Sequence, residues 1–375
     1  MKGFGRFTVL LCAAAIVTVA RGGHELPVYP SFYPHEIEIK TIAPDRAADA
    51  LRDGKIHAYV GHGLSFAGAP PAEVGVVESL GSFVTVRVNP DSALASDEAS
   101  TCAAVKTVIR ALAGQSDFIA HPYPVTPFHG DYLHHADLAV AAEARFSDGD
   151  ASVRDLRVKA SGSLARNHPE WSARDADWDV EIAEVDAARL MATATLAVNG
   201  WLAPPWVRTG WFHAERLLAD AVGDPAQKQR AETDLARLKA GDFAGLVERI
   251  NLERDLVRAL TVGCQKLVVG YRVKREYVNV EFSAGIENIG YDAIDGLHSP
   301  MFIRTVKLKD FPWNGWLVLG IGAGPAAAWN PIGGMTDPFG RLLGFAAGDP
   351  ALIPSPYEAG WMLNRIADVQ SSPGR

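Results

Sequence analysis

Residues 118–137 constrain this chain more than any other stretch. Pro122, Pro124 and Pro127 interrupt any helix or central strand there, because proline lacks an amide hydrogen and fixes its own φ. Regular structure must therefore lie on either side of a shaped loop. Four of the eleven histidines fall in it, His121, His129, His134 and His135, interleaved with Phe118, Tyr123, Phe128 and Tyr132. Such a loop presents side chains, and it is the first candidate for a site.

Upstream, the pattern alternates between strand and helix. Glu36–Ile42 places Ile37 and Ile39 on one face of a strand, Pro44 opens a helix with Ala47, Ala48 and Leu51 on one side, and Gly54 ends it. Lys55–Val60 is a second strand, expected parallel to the first by the handedness of such crossovers. A further strand, 78–88, and a helix, 101–113, follow. This rhythm predicts an α/β fold of sheets covered by helices. Downstream, helices are expected over 211–222 and 225–241, and a third carries Phe243, Leu246, Val247 and Ile250 as its apolar face. Strands are expected over 266–282, 301–308 and 317–321, with the chain from Ala323 onward wrapping the surface.

The phrase from Ala48 to Gly61, with helix end, Asp53-Gly54 turn and strand, together with a later strand closing on Asn89, Pro90, Asp91 and Ser92, resembles the first lobe of periplasmic solute-binding proteins over residues 36–113. The resemblance implies two lobes of sheet and helix, a small-molecule ligand in the cleft between them and a membrane transporter or periplasmic enzyme as partner. The division expected is 1–20 signal peptide, 21–117 α/β lobe, 118–264 histidine and aromatic loops with a helical region, and 265–375 a strand-rich region completing the second lobe.

Export is expected from the N-terminus. Lys2 and Arg6 precede or flank the apolar run Phe7–Ala20, and Thr18, Val19 and Ala20 suit a cleavage site, so the mature protein is periplasmic or secreted. An uncleaved anchor is the alternative. Cleavage removes two of the 36 basic residues and none of the 44 acidic ones, moving the formal charge from −8 to −10. That balance argues against nucleic acid, which needs a basic footprint. Cys102 and Cys264 then remain, either as one disulfide or as two separate buried thiols.

A second aromatic stretch, 198–213, holds Trp201, Trp206, Arg208, Trp211 and His213. Such residues line ligand pockets through stacking and cation–π contact, or form an apolar seam between lobes. The ligand-binding set expected is His121, Tyr123, Asp131, Tyr132, Trp201, Trp206, Arg208, Trp211 and His213, around a small polar or anionic solute. The competing reading is a metalloprotein, an enzyme in one version, in which His121, His129, His134 and His135, with Asp131 or Asp137 nearby, hold Zn, Cu or Fe. A third is a periplasmic assembly or interaction protein. No serine-hydrolase elbow, zincin, phosphate-loop or haem motif is present, so the sequence names no reaction.

Overall fold

The computed structural model describes residues 34 and 36–368 apart from 116, 148–152, 154, 174–176, 192–203, 312–314, 327–334, 336, 349–350, 357 and 365. The expected signal peptide and Trp201 lie outside the described residues. Among the described residues no helix is long and apolar enough to cross a membrane.

One mixed sheet of eight strands organises the molecule. Along it run β1 (Glu36–Thr41), β10 (Trp316–Ile321), β2 (Ala58–Val60), β7 (Lys266–Asn279), β3 (Val74–Val88), β6 (Val180–Asp186) and β5 (Val158–Ala160), while β4 (Phe118–Ala120) pairs with β7. The α/β class is as expected. β1 and β2 do run in the same direction, but β10 lies between them and is parallel to both. The strand-rich last third, expected to complete a second lobe, thus supplies β7 and β10 to the sheet begun by residues 36–88.

Helices cover the sheet where their apolar faces require it. α1 (Pro44–Arg52) starts on a proline at its first turn and buries Ala47, Ala48 and Leu51 beside Ile56 and Tyr59. α2 (Glu98–Leu112) is capped by the Asp97 side chain accepting from Ser100 N, and it buries Ala104, Val105, Val108 and Leu112. Cys102 on α2 is disulfide-bonded to Cys264 at the entry to β7. α3 (Ala136–Ser147) follows the histidine loop, and the short helices α4 (Gly162–Asn167) and α5 (Ala187–Met191) flank β6. Next come α6 (Gly210–Leu218), α7 (Pro225–Ala240) and α8 (Leu246–Leu260).

Three expectations change. On α8, Leu246 and Val247 are exposed, and the buried face is Leu252, Glu253, Leu256, Val257 and Leu260, because packing against the core starts after the first turn. The segment expected as strand over 301–308 is helix α9 (Pro300–Thr305) and a two-residue β9 (Lys307–Leu308), which pairs antiparallel with β8 (Ile286–Glu287). Ser299 accepts from Met301 N and Pro300 occupies the first turn, which together nucleate a helix despite the β-branched residues. Finally, the C-terminal part is not only surface wrapping. α10 (Pro338–Ala347) buries Leu342 and Phe345 against the β1–β10 end of the sheet, and β11 (Leu352–Pro354) pairs with β12 (Trp361–Leu363).

Candidate functional site

β4 delivers the histidine loop to the edge of β7. The strands meet so closely that a Cβ on Gly270 would sit 2.3 Å from the Ile119 carbonyl, which explains glycine there. The loop then turns back over the sheet and meets the start of α6. Gly210 N donates to Asp131 Oδ1 and Oδ2 at 2.9 and 3.1 Å, and Trp211 N reaches Oδ2 at 3.4 Å. Thr209 Oγ1 accepts from Phe212 N. The first amide hydrogens of α6 are thereby satisfied, and the buried Asp131 carboxylate gains the positive end of a helix. A Cβ on Gly210 would lie 2.4 Å from Val125, so the joint closes only with glycine.

The two stretches singled out in sequence therefore come together, largely as interior. His121, Tyr123, Trp211 and His213 are all buried, and Trp206 and Tyr132 are half-buried against the same core. Trp206 stacks at a tilt on Trp211 with ring centres 6.0 Å apart, and Lys239 lies over its ring. These tryptophans build the apolar seam rather than an open wall. Lining is left to a few groups.

Each histidine has a distinct setting. His121 is held at both ring nitrogens, by the Val125 carbonyl at 3.0 Å and Glu143 at 3.1 Å. Thr126 N donates to His129 Nδ1 at 2.9 Å, so the proton of a neutral His129 resides on Nε2 and is given to His213 Nδ1, also at 2.9 Å. That fixes the proton of His213 on Nε2, which is buried without a hydrogen-bond partner. Burial lowers both affinities for a second proton. His134 faces Glu253 at 3.3 Å. His135 Nδ1 meets the Tyr123 hydroxyl at 2.9 Å, while its Nε2 has no partner. Burial pushes His135 down to about 4 and raises the Tyr123 hydroxyl.

The expected four-histidine metal set is consequently not assembled. His121 and His129 have committed both nitrogens, and adjacent His134 and His135 turn to different partners. Asp137 pairs with Arg254 on the exposed side at 2.7 Å. Glu253 was missed by reading α8 on the wrong face. Burial, then the nearby Asp131 charge, raises its carboxyl to about 7. A signal was present: an acid three and four residues before Leu256 and Val257 sits on an apolar stripe.

Beside this interior lies a recess of about 240 Å³, bounded by Phe128, His129, Gly130, Arg208, Ile294 and Glu358. Arg208 is ion-paired with the buried Asp292 and donates to the Ser355 carbonyl at 2.8 Å, but its Nε–H finds no acceptor. Burial depresses the Arg208 pKa from its ordinary value, yet a guanidinium stays charged at neutral pH. Pro356, Glu358 and Ala359 were not among the expected site residues. Nothing local in sequence pairs them with Arg208, because they lie far along the chain.

No protein-family model and no curated protein matches the sequence. Among solved structures the chain is similar to NikZ from Campylobacter jejuni in complex with Ni(L-His), at 14% identity over 66% of this chain and 56% of that one, TM-score 0.33. It is similar also to HbpA2 from Haemophilus parasuis, at 10% identity over 72% and 57%, TM-score 0.41. A third is Haemophilus influenzae OppA in complex with the peptide RPPGFSPFR, at 10% identity over 71% and 57%, TM-score 0.36. The chain spans little more than half the length of these proteins.

Proposed function

We propose that the protein is an exported solute-binding protein that takes a small polar or anionic molecule into the recess beside His129 and Arg208. The observation that carries this reading is the buried, unaccepted Nε–H of Arg208, a residue that lines the recess. A buried donor without an acceptor is costly, by about 1–3 kcal/mol, and a ligand oxygen would remove that cost. Phe128 and Ile294 supply the apolar walls against which the rest of a small solute packs. Delivery to a membrane transporter is the role this reading assigns, with export through the leader at residues 1–20.

The test is thermal stabilisation of the purified protein by a panel of small carboxylates, amino acids and short peptides. A ligand at a hundred times its Kd should add about 2.7 kcal/mol to stability. Ala359→Phe, which adds a ring at a residue lining the recess, should keep the fold and lose that response. Absence of any response across the panel, or an undiminished one in Ala359→Phe, overturns the proposal.

A further inference from the structure

A second set of buried groups, none of which lines the recess, lies where the Tyr132–His134 turn meets α8. One oxygen of Asp131, one ring nitrogen of His135 and one oxygen of Glu253 all lie within 4.8 Å of one another, and all three side chains are buried. Each is held from behind. Asp131 accepts from the α6 amides, His135 Nδ1 meets the Tyr123 hydroxyl, and Glu253 is approached by His134 at 3.3 Å and Arg249 at 3.4 Å. His135 Nε2 is fully buried and has no hydrogen-bond partner.

We propose that Asp131, His135 and Glu253 form a binding site for a divalent first-row transition cation. Three physical arguments converge on it. First, two buried carboxylates close together repel unless a positive charge lies between them, and Arg249, half in solvent, reaches only Glu253. Second, His135 Nε2 has no hydrogen-bond partner, although a ring nitrogen of His135 lies within 4.8 Å of an oxygen of each acid. An ion about 2.0–2.2 Å from each donor can bridge such a gap after small side-chain shifts. Third, a ligating imidazole whose other nitrogen is fixed by a hydroxyl, beside a carboxylate fixed by backbone amides, is the support that holds metal ligands in place. When Tyr123 accepts from Nδ1–H, the lone pair of His135 falls on Nε2, the form a metal requires.

One nitrogen and two oxygens suit Zn²⁺ or Mn²⁺ better than Cu(I), which prefers sulfur. Three protein ligands leave a coordination position for water or an added group. The inference goes beyond the solute-binding reading and does not depend on it, because none of the three residues bounds the recess.

The experiment uses the full mature chain, stripped with a chelator and titrated with Zn²⁺ or Mn²⁺ alone, with Co²⁺ as a spectroscopic probe. One equivalent of metal should bind, raise the melting temperature and give a Co²⁺ visible band. Glu253→Gln, which keeps the side-chain shape, and His135→Gln should each weaken binding at least a hundredfold, whereas His168→Gln on the opposite side of the sheet should not. Should His135→Gln fail to fold, Glu253→Gln alone decides the matter. No metal response, or equal binding by the wild type and Glu253→Gln, overturns the proposal. Ala359→Phe should bind metal normally, so the two readings fail separately.

Discussion

The two faces of the sheet around β3 and β7 are built from the same strands, yet their interiors differ in kind. One face is dry: Val84, Val86, Val88, Leu267 and Val269 pack on Ala104, Val105 and Val108 of α2, and the Cys102–Cys264 disulfide fastens its edge. Opposite, Leu80, Phe83 and Tyr271 meet the histidine loop and helices α6 to α8, with His129, His213, Asp131, His135 and Glu253 buried among them. A register shift between Leu80 and Ser82 skips Gly81 and interrupts the alternation of β3. Leu80 and Phe83, three residues apart, consequently face the same side. A buried polar interior is more costly than an aliphatic one of equal volume unless every group is satisfied. The second face is therefore explained better by use than by stability.

The largest difference should appear when the dry face loses its fastening. Replacing Cys102 and Cys264 together by serine opens a link between residues 162 apart and should cost about 2–5 kcal/mol, read as a fall in denaturant midpoint. The loss should be the same at pH 5.5 and pH 7.5, since aliphatic packing carries no proton. A loss that varied strongly with pH would mean that the two faces are not energetically separate.

On the polar face, the tightest joint is a steric one. Gly210→Ala must displace Val125, 2.4 Å from the added carbon, and should cost about 1–3 kcal/mol by overpacking. Combining it with Val125→Ala makes room for the methyl group. The double variant should then lose less than the sum of the singles, by about 0.5–3 kcal/mol of coupling. Strict additivity would show that the loop and α6 are not in contact as described.

The same contrast governs what could be seen beforehand. α1, α2 and β3 were legible because each carries its own period and its own stop signals, such as Pro44 and Gly54. The position of β10 between β1 and β2 was not, since its partners lie more than 250 residues away and no local pattern records the pairing. The polar face was legible as composition but not as geometry. His129 and His213 both drew attention, yet their hydrogen bond spans 84 positions. Glu253 goes unmarked because the expected apolar face of α8 lies a turn too early, at Leu246 and Val247. Of the tryptophans in the 198–213 stretch, Trp206 and Trp211 pack into the interior beside Phe212.

The smallest effect is the most diagnostic of the polar face, and it is a proton count. Burial depresses His129 and His213 below their ordinary value of 6.5, so the folded protein leaves both neutral where the unfolded chain takes up protons. Their contribution to stability is therefore complete above about pH 6.5 and is lost as pH falls below it, at about 1.4 kcal/mol per pH unit for each proton. Glu253 works in the opposite sense. With its folded pKa at about 7 against 4.5, the folded state holds its proton more tightly, and stability rises as pH falls through 7 toward 4.5. The net slope of the wild type thus mixes signs. The difference between wild type and His213→Gln does not, because the variant removes one proton uptake and leaves Glu253 in place. Between pH 6 and 5 the variant should lose about 1.4 kcal/mol less than the wild type in chemical denaturation. Equal slopes would mean that His213 takes up a proton in the folded state and that its Nδ1 no longer accepts from His129 Nε2.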